Sequence, residues 1–253
     1  MEALSETARL VNRPISAYSH RVSAFLIQQD QQYAVLLADS LGTKESPGVG
    51  RIPVAAPKLV HVAPCAYAAH AGTWQPALEM LSRLRSLIIS REGVAPANAA
   101  SLSVDMPKIG VEVHAEFQKL FRVESLDVRV ALLLTGNLRH PDDAAEGRSS
   151  TVLLWEAASQ FVPKRITGGL YFGGSPVLSD LAGTILNHPF VLDTMRQSPL
   201  ACAQGLLAAH SALSRLSTSI SPEANVVVCG EGEEHAVLHG TLVTLPNRAL
   251  AKG

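Results

Sequence analysis

Cysteine is scarce, with three in 253 residues, at Cys65, Cys202 and Cys229. They form no CxxC pair and no even set. That argues against a disulfide framework or a cysteine-ligated zinc site, and fits a reducing, cytoplasmic home. Aromatic residues are only 5% of the chain and charged residues 17%. Neither charge sign is in excess: 21 Lys+Arg face 22 Asp+Glu, a net charge of -1. Nucleic acid or an anionic membrane surface would call for a basic excess, so neither is expected as a partner. No apolar run approaches the roughly 18 residues of a membrane-spanning helix. The opening MEALSETARLVNRPISAYSH lacks the apolar core of a secretory signal. Nor does any segment repeat at the period of about 20–50 residues that marks solenoids.

What is present is apolar. Hydrophobic residues make up 47% of the chain, which is ample for a buried core and argues against disorder. After the mixed, polar first twenty residues, Val22–Gln28 and Tyr33–Ala38 form two strand-like runs, with Asp30-Gln31-Gln32 as their turn. The Gly-, Pro- and Ser-rich stretch from Ser40 to Pro57 suggests a loop. Lys58–Val62 and Cys65–Ala71 give two more strands, and Cys65 is expected as a small core residue on the second. Gly72 then opens a helix with Thr73 at its N-cap and an apolar face of Ala77, Leu81, Leu84 and Ile88. A second helix is expected over Ile109–Phe121, then a buried strand over Val128–Thr135, a polar loop, and a strand over Thr151–Trp155. Short strands at Gln160–Val162 and Leu170–Phe172 precede helices over Pro176–Leu186 and Leu200–Leu216. The last carries the stripe Ala203, Leu206, Ala209, Leu213 and Leu216. Strands over Asn225–Cys229 and Ala236–Leu245 close the chain. Grouped hairpin strands apart from grouped helices predict an α+β fold: two largely antiparallel sheets between two helical layers.

Four residues fall at telling places. Ser23 starts the first strand, and Asp39 ends the second, sixteen residues later. Lys58 begins the third strand, and Gly72 closes the fourth, fourteen residues after Lys58. In this order and spacing the chain resembles the proteasome β-subunit family of N-terminal nucleophile (Ntn) hydrolases, in its bacterial branch. VRVALLLTGNLRH is similar to that family's core strand ending in Gly. TVLLWEAASQFVPKRITGGLYFGGSP is similar to its strand pair leading to a Gly-Ser-Gly turn, with Ser175 at the Ser position. The similarity runs from about Val22 to Leu245.

The resemblance implies a four-layer αββα sandwich, with residues 1–22 as an extension or pro-segment and 23–253 as one domain. It implies Ser23 as nucleophile, Lys58 and Asp39 as its tuning pair, Gly72 at the oxyanion site, and a homo-oligomeric ring around a peptide or protein substrate. An unfoldase partner is left unidentified. The chemistry is economical. A free α-amine, with a pKa of roughly 7.7–8.0, is a general base at neutral pH. On the residue that also carries the hydroxyl, base and nucleophile sit together. A neighbouring Lys⁺ favours the reactive forms, and backbone N–H groups near Gly72 would steady an oxyanion. Strand-to-helix geometry is the competing, stronger reason for glycine at 72.

The chain also departs from the family. The nucleophile position holds Ser rather than Thr, and β-branched Val22 stands where Gly precedes the cut. Thr218 and Ser221 stand at the D and S positions of the family's D-x-x-S-G-G-like motif, and Pro176 replaces the second Gly of Gly-Ser-Gly. Two alternatives therefore stay open: a non-catalytic proteasome-like scaffold that keeps its extension, and an amidohydrolase acting on a small amide. No cofactor or metal is expected. His235 and His239, beside Glu233 and Glu234, would lie about 13–14 Å apart on an extended strand, and LYFGGSP lacks the Gly-x-x-x-x-Gly-Lys pattern of a phosphate loop. His61 and His70 fit as ordinary strand residues.

Overall fold

In the computed structural model the described residues are 25–30, 32–46, 50–55, 58–91, 97–173, 176–195, 197–216, 220–230, 236–239 and 243–244. The first apolar runs pair as expected. β1 (Phe25–Gln29) and β2 (Tyr33–Asp39) are antiparallel, and the Asp30 N–H donates to the Tyr33 carbonyl at 2.8 Å across the turn. β2 pairs on its other side with β11 (Ala224–Gly230). β10 (Gly169–Gly173) and β12 (Ala236–His239) complete the first sheet, in the order β10-β1-β2-β11-β12.

The second sheet has the order β13-β5-β6-β7-β8-β9. Its strands are β5 (Leu59–Ala63), β6 (Ala66–Gly72), β7 (Val128–Thr135), β8 (Ser150–Glu156), β9 (Lys164–Ile166) and β13 (Val243–Thr244). All its pairings are antiparallel except β13 with β5.

Alternation along the strands decides the layering. On β2, Ala34, Leu36 and Ala38 meet Ala69, Ala131, Leu133 and Leu154 of the second sheet. Val35 and Leu37 turn the other way, onto a layer made by α4 (Pro176–Leu186), α5 (Pro189–Met195) and α6 (Pro199–Leu216). Val130, Leu132 and Leu134 of β7 face a layer of α1 (Trp74–Ser90) and α2 (Ala99–Phe121). The result is a four-layer αββα sandwich. Strands covered on both faces have no wet side, which is why they read as unbroken apolar runs.

Several elements differ from the sequence expectation. The expected loop at 40–57 contains a hairpin, β3 (Leu41–Ser46) with β4 (Gly50–Ala55), forming its own two-stranded sheet. Its Pro53 is compatible with an edge strand, where the missing N–H is not needed. α2 starts ten residues before Ile109. Asn98 accepts from the Ser101 N–H while the Ser101 hydroxyl accepts from the Asn98 N–H, and the helix then runs through Pro107. Gln160–Val162 is not a strand: Gln160 and Phe161 are left-handed at φ 52° and 62°, and β9 follows instead. Cys65 is not on its strand but in the preceding turn, half-buried, at φ 63°. The polar loop after β7 holds a short helix, α3 (Pro141–Ala145). Leu216, expected on the buried stripe of α6, is exposed. The single closing strand divides into β12 and β13, in different sheets.

Candidate functional site

The site is built where β2 ends and β5 begins. Asp39 is the last residue of β2, opposite Ala224 at the start of β11. Lys58 immediately precedes β5. The two side chains are 0% and 2% exposed, and Lys58 Nζ donates to Asp39 Oδ1 at 2.6 Å. Burial lowers the Lys58 pKa, and the Asp39 carboxylate pulls it back up. A buried ammonium held this way is a fixed positive charge, and such a charge favours the deprotonated form of any group placed beside it.

The strand ends are clamped. Ser40 donates to the Glu223 carbonyl from both its N–H and its hydroxyl, each at 3.2 Å. Ser221 Oγ accepts from the Glu223 N–H at 3.0 Å and lies 3.5 Å from Ser40 Oγ. Thus Ser221 braces the strand that presents Asp39. On the other side, the His70 N–H donates to the Lys58 carbonyl at 3.1 Å and fixes Lys58 against β6.

Gly72 closes β6 at φ +84°, and a Cβ there would lie 2.1 Å from the Asp127 carbonyl oxygen. Both facts require glycine for backbone reasons. Thr73 follows at the N-cap of α1. Its side chain makes no capping bond, and its N–H instead donates to the Asp127 carbonyl at 2.6 Å. Of the sequence candidates, the structure brings Asp39 and Lys58 into contact and puts Gly72 at the end of β6, the strand paired with β5. Ser23 and Ser175, like Val22, Thr218 and His235, lie outside the described residues.

Sequence reasoning missed His210. It sits on the buried face of α6 at 1% exposure, and its pKa falls to about 4, first from burial and then from the Lys58 charge. Its signal was present: Leu206, His210 and Leu213 follow helical spacing, with a histidine at a core position. Also missed was a polar bridge between the sheets. Glu156 on β8 faces Arg129 across the β7–β8 register and hydrogen-bonds Tyr171 of β10, in the other sheet. Burial raises the Glu156 carboxyl, and burial together with the Glu156 charge raises the Tyr171 phenol to about 12.

Among the described residues no three His, Cys, Asp or Glu side chains converge as a metal centre would need, and no helix is long and apolar enough to cross a membrane.

Compared with known proteins, the chain matches no family model and no curated relative. Among solved structures it is similar to Anbu (ancestral beta-subunit) from Yersinia bercovieri, with a TM-score of 0.59 and 12% identity over 82% of each chain. At that identity the likeness establishes the fold, the αββα sandwich described above.

Proposed function

We propose that this chain is a proteasome-type subunit whose site is laid out for peptide-bond hydrolysis by an N-terminal nucleophile. The observation that carries the reading is the buried Lys58–Asp39 pair at adjoining strand ends. The fold shared with an ancestral beta-subunit supports it.

In this reading residues 1–22 are a pro-segment and 23–253 the working domain. Cleavage after Val22 frees the Ser23 amine. The Ser23 hydroxyl then attacks the substrate carbonyl, and its proton passes to the amine. The C–N bond breaks as that proton goes to the departing amine, and water hydrolyses the Ser23 ester. Lys58 supplies the positive charge, Asp39 holds Lys58, N–H groups near Gly72 meet the oxyanion, and Ser175 is a further catalytic candidate, from its place in the family's Gly-Ser-Gly pattern. Copies of the chain assemble into a closed ring in the cytoplasm.

A second reading has specific support. Val22, Pro176 and Thr218 stand where the Ntn pattern has Gly, Gly and Asp, which favours a non-catalytic subunit that keeps its extension. Intact-mass measurement and peptide hydrolysis decide between them. A mass beginning at Ser23, with hydrolysis abolished in Ser23→Ala, supports the peptidase. A full-length mass, with hydrolysis unchanged by Ser23→Ala, supports the non-catalytic subunit. Light scattering on the same sample tests the ring: a monomer overturns it.

A further inference from the structure

We propose that Arg129 is a positioning residue that holds Asp127 against the Gly72–Thr73 turn and so fixes the N–H groups of the oxyanion site. The inference rests on the reading that those N–H groups meet the oxyanion.

Thr73 stands at the N-cap of α1 without a capping bond from its side chain. Its place is set from β7 instead. The Thr73 N–H donates to the Asp127 carbonyl at 2.6 Å, one step beyond the last β6–β7 pair, Gly72 with Val128. Amide groups alternate in direction along a strand. The His70 N–H donates to the Lys58 carbonyl, so the Gly72 N–H, two residues on, faces the β5 side as well. The clamp on Thr73 therefore holds from behind the turn that presents the Gly72 N–H.

Asp127 packs against Gly72 without slack. A Cβ on Gly72 would lie 2.1 Å from the Asp127 carbonyl oxygen and 3.3 Å from its side-chain Cγ. Movement of Asp127 is thus passed on to Gly72, and its carboxyl group lies beside the turn. An unbalanced carboxylate there would oppose a developing oxyanion. Arg129 both holds that carboxylate and balances its charge: Arg129 Nε donates to Asp127 Oδ1 at 3.1 Å. The guanidinium is itself flanked by Glu156, whose Oε1 is 4.0 Å from Nε across the β7–β8 pair. Arg129 is 25% exposed and Asp127 62%, and an ion pair so open to water adds little to stability. Arginine at this place is explained by where it keeps Asp127 more than by strength it lends the fold.

Amide hydrogen exchange and peptide hydrolysis by the full chain test the assignment. Arg129→Met is expected to speed exchange of the Thr73 amide by more than about tenfold, with the Ala131 amide of β7 unchanged. Arg129→Lys, which keeps the charge, is expected to restore most of the protection. Unchanged Thr73 exchange in Arg129→Met overturns the proposal, and so does a lysine variant no better than methionine. If Arg129→Met does not fold, Asp127→Asn, which keeps the shape and removes the charge, carries the same test. In hydrolysis, Arg129→Met is expected to lower kcat about tenfold and leave KM within about twofold. A loss carried by KM alone would make Arg129 a substrate contact and overturn the positioning role. Absence of hydrolysis in the original chain would instead count against the peptidase reading, and Thr73 exchange would still decide whether Arg129 holds the turn.

Discussion

Lys58 illustrates how a single buried charge makes stability depend on its partner. Its ammonium and the Asp39 carboxylate are both out of water, 2.6 Å apart. Removing one partner strands the other, at a cost of about 3–5 kcal/mol. Lys58→Met is therefore expected to lower the guanidinium unfolding midpoint sharply. Asp39→Leu/Lys58→Met, which replaces the pair with apolar side chains, is expected to recover much of the loss. A single variant as stable as the original chain would contradict a dry ion pair. Both residues were legible in the sequence because a lysine and an aspartate at the ends of apolar strands stand out by spacing. For His210 only the burial could be read from helical spacing, because one histidine in an apolar stripe gives no hint of what it faces.

At the scale of elements, the β1–β2 hairpin, β6, β7 and α1 were legible because their apolar periodicity coincides with burial on one or both faces. The segments that escaped are governed by single contacts. Phe161 is the clearest case. It is left-handed at φ 62° and 2% exposed, and its ring packs on α2 where Gly110 leaves room. A Cβ on Gly110 would lie 2.3 Å from that ring. The turn that replaces the expected strand is thus shaped by a glycine fifty residues away, which no local pattern reveals. Gly110→Ala is expected to cost about 1–3 kcal/mol through overpacking, seen as a lower thermal midpoint. Adding Phe161→Leu, which trims the opposing ring, should return part of it. An unchanged midpoint in Gly110→Ala would mean that α2 and this turn do not touch.

Among the described residues, polar side chains join the two sheets at the Lys58–Asp39 pair and again where Glu156 and Tyr171 form a bridge. That bridge and His210 respond to acid with opposite sign. The folded pKa of His210 is depressed to about 4 from an ordinary 6.5, so between those values the unfolded chain binds more protons. The His210 contribution to stability is present above pH 6.5 and is lost as pH falls toward 4. Glu156 is raised from its ordinary 4.5, so above 4.5 the folded chain binds more protons, and stability falls as pH rises through the window up to its folded pKa. Urea midpoints measured from pH 4 to 7 should show this. The advantage of the original chain over His210→Gln should grow with pH, and its advantage over Glu156→Gln should shrink. Parallel profiles would refute the opposition. The layering itself was legible from grouped strands and helices. The bridge was not, because its members are far apart in the chain and meet only when the sheets do.

β11 has a temporal consequence. The strand neighbour of Asp39, Ala224, leaves the ribosome some 185 residues after it. The contact order of this corner is therefore high, and such non-local pairing forms slowly. A nascent chain still short of that strand carries the carboxylate without its scaffold. The scaffold of the charged pair is thereby completed only after a long further stretch of chain has been made.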